Sequence, residues 1–185
     1  MIIVLFGAPG VGKGTQAAIL AEKLNIAHLS TGDAFRAAIK NATPVGVLAK
    51  SYVDAGALVP DDVVARIVEE TMEAPSFANG CILDGFPRTR AQADALQQLL
   101  AAKGLAVTCV VNLNVDDETI IHRLLARGRE DDKEDIIRYR LDVYNKETAP
   151  LLEFYDGAGL LTSVDGLGTV EDVNERILAA IAVRQ

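Results

Sequence analysis

The chain opens with MIIVLFGAPGVGKGT (residues 1–15). Ile2–Phe6 is a continuous apolar run, typical of a strand buried on both faces, and a glycine-rich turn follows it directly. Glycines let consecutive backbone N–H groups converge on an anion, and the next helix directs its positive dipole end to the same point. This strand, loop and helix therefore predict a cradle for the phosphates of a nucleoside triphosphate.

The phosphate-loop pattern G-x-x-x-x-G-K-[ST] is met at Gly7, Gly12 and Lys13, with one departure. Gly14 stands in the Ser/Thr place, and Thr15 comes one residue later. Lys13 is predicted to bring positive charge to the β- and γ-phosphates, and Thr15 a hydroxyl to Mg²⁺. The departure indicates a subclass of nucleotide binder, and the strand and helix on either side argue against a glycine turn without a ligand.

Composition narrows the class of protein. The 185 residues are 50% hydrophobic, which predicts one ordinary domain with a substantial core. The net charge of −8 argues against nucleic acid as a partner, and no apolar run is long enough to cross a membrane. Because Met1 begins the first strand, we expect no signal peptide and a cytoplasmic setting. Cys81 and Cys109 are expected to be buried thiols, forming neither a disulfide nor a metal pair.

Apolar runs and helical periodicity alternate along the chain, which predicts an α/β fold with a five-stranded, doubly wound parallel sheet. The predicted strands are Ile2–Phe6, Ile26–Leu29, Gly80–Asp84, Val107–Leu113 and Leu161–Val164. The predicted helices between them are Gly14–Leu24, Arg90–Lys103, Asp116–Arg127, Asp132–Tyr155 with a kink or split at Pro150, and Thr169–Val183.

The stretch 30–79 interrupts this alternation, because about fifty residues pass without a strand signal. Helical patches occupy it at Asp33–Lys40, Val45–Ala55 and Asp61–Glu73. We interpret it as a small helical lobe, placed at residues 30–59, inserted in a single domain spanning 1–185. The alternative is a plain set of helices packed on one face of the sheet.

The segment DGFPRT (84–89) follows the third predicted strand and indicates a second part of the site. Asp84 is placed to reach the shell of a Mg²⁺ ion beside the phosphate loop, although it could also be a turn cap. Gly85 and Pro87 predict a rigid turn that carries Arg88 over the carboxyl ends of the strands. Open α/β sheets bind their ligands at that edge.

Arginines are concentrated within eighteen residues after the fourth predicted strand. Acidic neighbours allow a plain reading as a solvated, ion-paired surface. Beside a phosphate loop we favour convergence on one cleft, because phosphoryl transfer spreads charge over oxygens that guanidinium groups bind well. The arginines are Arg123, Arg127, Arg129, Arg138 and Arg140, and the acidic residues are Glu130, Asp131, Asp132, Glu134 and Asp135.

Together these motifs resemble the adenylate kinases from Met1 to about Val183. The resemblance implies a P-loop kinase core with an inserted AMP-binding lobe and a mobile lid. It also implies reversible, Mg²⁺-dependent conversion of ATP and AMP to two ADP, a reaction of adenine nucleotide homeostasis. The motifs are GAPGVGKGT (7–15), LSTGDAFR (29–36), GALVPDD (56–62), LDGFPRT (83–89), Gln92, and RGREDD (127–132) leading into Arg140.

The resemblance also implies roles for individual residues. Those for ATP are Gly10, Val11, Gly12, Lys13, Gly14, Thr15, Arg123, Arg127 and Gly168. Those for AMP are Thr31, Arg36, Ala57, Leu58, Val59, Gly85, Phe86, Pro87, Arg88, Gln92, Arg129 and Arg140. The catalytic set is Lys13, Arg88, Arg127, Arg129 and Arg140, with Thr15 and Asp84 holding Mg²⁺ through water. Arg138 is expected to be a helix-surface residue.

Two alternatives to adenylate kinase activity stay open. One is a pyrimidine nucleoside monophosphate kinase, although Thr31 and Gln92 favour AMP because uridylate/cytidylate kinases tend to carry Ala at the first position. The other is a nucleotide sensor that has lost turnover, against which the complete set of arginines argues. His28 and His122 lack metal or relay spacing and are interpreted as structural.

The lid implied by the resemblance is very short, at residues 126–132. Long-lid members place a large insertion, often with a four-cysteine zinc site, where Gly128 alone separates Arg127 from Arg129. This resembles an actinobacterial-type subgroup without zinc. The expected partners are ATP and AMP or ADP, with no nucleic acid or membrane, and the expected state is a monomer.

Overall fold

A five-stranded parallel sheet forms the centre of the computed structural model, which describes residues 1–184. The sheet order is β2-β3-β1-β4-β5, which confirms the predicted fold class. The strands are β1 (Ile2–Phe6), β2 (Ala27–Ser30), β3 (Cys81–Asp84), β4 (Cys109–Asn114) and β5 (Leu161–Asp165). The chain runs from β1 toward one edge and then toward the other, and this reversal opens a crevice at the carboxyl ends of the central strands.

Helices connect the strands nearly as predicted, with ends that differ by one or two residues. They are α1 (Lys13–Leu24), α2 (Thr31–Lys40), α3 (Pro44–Ala55), α4 (Asp61–Met72), α5 (Arg90–Ala102), α6 (Asp117–Arg127), α7 (Glu134–Val143), α8 (Pro150–Gly157) and α9 (Val170–Ala182). No helix in the described part of the chain is long and apolar enough to cross a membrane.

The long helical segment predicted over residues 132–155 is divided in the structure. A π-helical turn at Tyr144–Thr148 follows α7, and α8 starts at Pro150. Proline has no N–H for the helix ladder, so it is tolerated at the start of a helix but not in its interior. The predicted split at Pro150 is therefore confirmed, with the π turn as an additional feature.

The core lies on both faces of the sheet. Val4 and Phe6 of β1 pack on one face with α5, while Ile3 and Leu5 pack on the other face with α1 and α9. This two-sided burial explains why the strands read as unbroken apolar runs. The two cysteines are free and buried, as expected, and burial raises the pKa of each thiol to about 11.

The stretch between β2 and β3 consists of helices only, as predicted. The hydroxyl of Ser30 caps α2 by accepting from Asp33 N, and that of Thr43 caps α3 by accepting from Gly46 N. A Cβ at Gly46 would lie 2.1 Å from the carbonyl oxygen of Ala38, so this glycine permits the close crossing of α2 and α3. The two helices form a hairpin beside the crevice, whereas α4 packs against α5.

Candidate active site

A cleft opens at the carboxyl ends of β1 and β3, between the phosphate loop and the arginines of α6 and α7. Residues predicted to bind ATP, AMP and Mg²⁺ line it, together with the predicted catalytic residues. These are Gly10, Gly12, Lys13, Gly14, Thr15, Arg36, Asp84, Gly85, Pro87, Arg88, Arg123, Arg127, Arg129 and Arg140. The tertiary structure therefore brings together residues that lie in four separate motifs of the sequence.

The backbone of the phosphate loop requires glycine at two points. Gly7 has a φ of 137°, and a Cβ there would lie 2.7 Å from the carbonyl oxygen of Leu113. Gly10 has a φ of 88°, and its Cβ would lie 2.6 Å from Cγ of Leu124. The loop thus packs tightly on β4 and α6 and leads the chain into α1, whose N-terminus faces the cleft.

Lys13 occupies a strongly cationic environment. Its Nζ donates hydrogen bonds to the carbonyl oxygens of Gly7 at 2.7 Å and Ala8 at 3.0 Å. Burial lowers the pKa of Lys13 to about 8, an effect that Asp84 opposes and Arg88 increases, together with Arg140 and Arg127. A bound phosphate would relieve this crowding of positive charge.

Asp84 is the anionic group of the cleft floor. Its side chain is 12% exposed, and Oδ2 lies 3.7 Å from Nε2 of His28, which is beyond hydrogen-bond distance. Burial alone would raise the pKa of Asp84, but contact with His28 and the charges of Lys13 and Arg88 outweigh it and lower the pKa below its usual range. Asp84 is therefore ionised at neutral pH.

His28 has a neighbour that sequence analysis missed. His28 was interpreted as structural because its spacing suits neither a metal site nor a relay, and the structure places its Nε2 3.7 Å from Oδ2 of Asp84. The reason is strand pairing: β2 and β3 are parallel neighbours, with His28 opposite Ile82 and Ser30 opposite Asp84. Nothing in the local sequence indicates which strands lie side by side.

Arg88 is held from several directions. Its Nε donates to the carbonyl oxygen of Gly85 at 2.9 Å, which also accepts from Oγ1 of Thr31 at 2.8 Å. Thr148, on the π turn, donates from Oγ1 to the backbone carbonyl oxygen of Arg88 at 2.9 Å. Burial lowers the pKa of Arg88, with Asp84 opposing the shift. Thr148 carried no signal in the sequence, where its segment was predicted to be ordinary helix.

The acidic residues of the lid segment pair with its arginines. Asp132, whose side chain is 0% exposed, accepts from Nε and Nη2 of Arg127 at 2.8 and 2.7 Å and from the backbone N–H of Arg129 at 3.0 Å. Asp131 accepts from Nη1 of Arg140 at 2.8 Å. Two of the predicted catalytic arginines are thus held by carboxylates of the same segment.

The plain reading of this charged stretch as a solvated surface is therefore wrong for Asp131 and Asp132. It holds for Arg138, which pairs with Glu134 on the exposed side of α7 and was expected to be a surface residue. Asp132 meets Arg127 from five residues away within the RGREDD run, whereas Asp131 meets Arg140 from nine residues away, so the run alone does not reveal which carboxylate is buried.

A smaller pocket adjoins the cleft on the side of α2 and α3. It is lined by the predicted AMP-binding residues Thr31, Arg36, Ala57, Leu58, Val59, Gly85, Arg88, Gln92 and Arg140. Gln92 is 2% exposed, and its Nε2 donates to Oδ1 of Asp61 at 2.7 Å. Asp61 was not among the residues singled out from the sequence.

Three predicted residues do not face either pocket with their side chains. The side chains of Val11 and Phe86 are buried in the core, so only their backbone atoms are available to a ligand. Gly168 lies in the loop between β5 and α9. Arg123 joins that loop to the phosphate loop, because it donates to the carbonyl oxygens of Gly166 at 3.3 Å and of Val11 at 3.2 Å.

The donors in the cleft suit a Mg²⁺ ion that is held mainly by phosphates and water. No cluster of three or more His, Cys, Asp or Glu residues within 1–184 could hold a metal by itself. Thr15 and Asp84 both line the cleft. The carboxylate of Asp84 lies close to the start of α1, because a Cβ at Gly14 would lie 3.5 Å from its Oδ2. A hydroxyl and one ionised carboxylate fit Mg²⁺, which usually takes few protein ligands beside substrate phosphates.

A parallel sheet with this strand order, a glycine-rich phosphate loop after β1 and arginines converging on that loop define a P-loop nucleotide-binding protein of the phosphotransferase class. The sequence model of the family described as adenylate kinase matches residues 5–160. The chain belongs to the adenylate kinase family.

Similar proteins extend this match over nearly the whole chain. The adenylate kinase of Nocardia farcinica is 52% identical over 181 residues, which cover 98% of this chain and 99% of that protein. That of Corynebacterium aurimucosum is 53% identical over the same coverage. The adenylate kinase of Geobacter sp. strain M21 is 48% identical with equal coverage, but its alignment spans 212 positions, so it carries residues that this chain lacks.

Proposed function

We propose that this cleft transfers the γ-phosphoryl group of ATP to AMP, reversibly and with Mg²⁺, to give two ADP. The observation that carries the proposal is that Arg88 and Arg140 line both the main cleft and the smaller pocket. Two anionic substrates bound in adjoining spaces would share these guanidinium groups at the point where phosphate meets phosphate. Such an arrangement suits transfer between two nucleotides.

Each pocket is assigned one substrate. The phosphate loop and Lys13 receive the phosphates of ATP, Arg123 lies where the ATP base would stack, and the loop of Gly168 contacts that base. The smaller pocket receives AMP, with its adenine against residues 57–59 and Gln92 and its phosphate at Arg88. Mg²⁺, when bound with ATP, partly neutralises the phosphate charge, and Thr15 and Asp84 would hold it through water.

In the proposed reaction, a phosphate oxygen of AMP attacks the γ-phosphorus of ATP in line with the leaving oxygen. One P–O bond forms as the bond to the β-phosphate oxygen breaks, so ADP is both product and leaving group. Lys13, Arg88, Arg129 and Arg140 stabilise the charge on the transferring group. Alignment of two bound substrates can lower the barrier by about 7–11 kcal/mol.

We assign the lobe to residues 30–59 and the lid to residues 126–132 of one domain. The support for a short lid is the sequence RGREDD (127–132), in which Gly128 alone separates Arg127 from Arg129. A lid of this size can exclude little water by itself. Closure therefore depends on Arg127 and Arg129 pairing with the nucleotide phosphates, for which Arg127 must first leave the carboxylate of Asp132.

A monomeric state and a cytoplasmic setting complete the proposal. The buried thiols of Cys81 and Cys109 support a reducing compartment.

The test is ADP formation from Mg·ATP with AMP, CMP, UMP or GMP offered separately. We expect fast turnover with AMP and slow turnover with the others. Faster turnover with CMP or UMP would support phosphoryl transfer but would show that the acceptor is a pyrimidine nucleotide rather than AMP. Nucleotide binding without turnover on any acceptor would overturn the proposal in favour of a sensor.

A further inference from the structure

Both ends of the Gln92 carboxamide are held by protein partners. Its Oε1 accepts a hydrogen bond from the backbone N–H of Arg88 at 2.7 Å, and its Nε2 donates to Oδ1 of Asp61 at 2.7 Å. Gln92 is buried, at 2% exposure, in the wall of the smaller pocket. Asp61 is the first residue of α4 and follows the segment 57–59 that lines the same pocket.

These two partners favour the same orientation of the amide. A backbone N–H can only donate, and an ionised carboxylate can only accept. Rotating the carboxamide by half a turn would set its NH₂ against the N–H of Arg88 and its oxygen against Asp61, and both hydrogen bonds would be lost. A glutamine without such partners can present either end, because the two ends are nearly equal in size.

An amide of fixed orientation can distinguish purine bases. After its two protein contacts, Gln92 keeps one N–H and one oxygen lone pair for a ligand. Adenine offers a donor at its 6-amino group and an acceptor at N1, which an amide oxygen and N–H can meet together. Hypoxanthine and guanine reverse both groups, with an acceptor at position 6 and a donor at N1.

We propose that Asp61 is a specificity-determining residue, which acts by fixing the Gln92 amide in the orientation that reads adenine. Asp61 is a positioning residue because it acts through Gln92. The inference rests on the proposed function, since it assumes that the smaller pocket receives the acceptor base.

The experiment compares AMP with IMP as acceptor for Mg·ATP. IMP differs from AMP only at positions 6 and 1 of the base, so it avoids the additional 2-amino group of GMP. In Asp61→Asn the new amide can accept from or donate to Gln92, so only the backbone N–H of Arg88 still opposes rotation of the Gln92 amide. We expect the ratio of kcat/KM for AMP to that for IMP to fall about tenfold, chiefly through the acceptor KM.

Asp62→Asn is the matched control, because Asp62 is the next residue of α4 and is exposed. Asp62→Asn removes the same charge from the same helix N-terminus. Its ratio of kcat/KM for AMP to that for IMP should stay within about twofold of the wild-type ratio. In a Gln92→Ala background, Asp61→Asn should leave the ratio unchanged, because the residue through which it acts is gone.

The outcomes distinguish the proposed role of Asp61 from the proposed phosphoryl transfer to AMP. A loss of helix stability alone would lower kcat/KM for both acceptors equally, and an unchanged AMP/IMP ratio in Asp61→Asn would overturn the role of Asp61. Failure of the wild-type protein to phosphorylate AMP at all would instead overturn the proposed function.

Discussion

The positive charge of Lys13 lowers the stability of the folded protein. Its pKa is lowered from 10.5 to about 8, first by burial. Between these two values the unfolded chain binds more protons at this site than the folded protein does, so stability rises with pH across that range. The destabilising effect of the charge is therefore complete below pH 8 and fades as the pH approaches 10.5.

Lys13→Met should stabilise the empty protein at pH 7 while abolishing phosphoryl transfer. We expect the free energy of unfolding to rise by about 1–2 kcal/mol, which corresponds to a Tm higher by roughly 2–6 °C. Thermal denaturation without nucleotide at pH 7 and at pH 10 measures this gain, which should shrink at the higher pH. Lys103→Met, at an exposed position, should change Tm little. A Lys13→Met protein less stable than wild type at pH 7 would contradict the electrostatic assignment.

Arg88 is one of the guanidinium groups that line both pockets. Arg88→Ala should lower kcat by about 100-fold or more, because a preorganised charge at the transferring phosphate is lost. Steady-state ADP formation at saturating ATP and AMP measures the effect. Arg90→Ala is the control, since Arg90 lies two residues away, pairs with the exposed Asp94 and stacks on Phe154. Near-normal kcat in Arg88→Ala would remove Arg88 from the mechanism.

At the scale of elements, the lid segment is organised around one buried carboxylate. Asp132 accepts two hydrogen bonds from Arg127 and one from the backbone of Arg129, and it lies 3.5 Å from Arg140. Burial alone would raise its pKa, but the hydrogen bonds from Arg127 and Arg129 outweigh burial and lower it. The turn between α6 and α7 is therefore held by charge rather than by apolar packing.

Asp132→Asn should lower the free energy of unfolding by about 2 kcal/mol, less than for a fully buried pair because Arg127 is partly exposed. The corresponding fall in Tm is about 4–8 °C. Thermal denaturation at pH 7 measures it. Glu134→Gln, which breaks the exposed pair with Arg138, is the control and should change stability by less than about 0.5 kcal/mol.

The pH dependence supplies a second check on Asp132. Because its pKa is lowered by folding, the stability that it contributes is complete above its ordinary value, about pH 4, and is lost as the pH falls through the lowered value. Wild type and Asp132→Asn should therefore converge in Tm below about pH 4. A constant difference down to acid pH would show that the carboxylate charge is not responsible.

At the scale of the whole molecule, the lid and the helical lobe face each other across the cleft. Arg129 lies within electrostatic reach of Asp33 and Arg36 on α2. Among the ion pairs of residues 1–184 its guanidinium takes no part, so it is available to a phosphate. Under the proposed assignment of residues 126–132 as a short lid, this arginine is the link that a bound nucleotide would use to draw the two sides together.

Arg129→Ala should therefore lower kcat at least tenfold, because closure and charge stabilisation are lost together. The measurement is turnover at saturating ATP and AMP. Arg138→Ala removes the same charge from the exposed face of α7 and should leave kcat within about twofold. Turnover of Arg129→Ala within twofold of wild type would show that closure does not depend on this residue.

Local patterns were enough to predict the architecture. The apolar run of β1, the glycine loop and the alternation of strands with helices depend on residues close in sequence, and their boundaries agree with the structure within about two residues. The phosphate-loop and DGFPR motifs were likewise readable, because each carries its chemistry within a few consecutive residues.

The pairing of charges across the cleft was decided by tertiary structure. His28 meets Asp84 because β2 and β3 are neighbours, and Gln92 meets Asp61 from 31 residues away because α4 packs against α5. Asp132 is buried because the chain turns back at Gly128, although Glu130 and Lys133 on either side of it in the sequence are exposed charges. Sequence determines which groups are present and where the chain can turn. Which groups come within hydrogen-bond distance depends on how separate elements pack, and no local pattern contains that information.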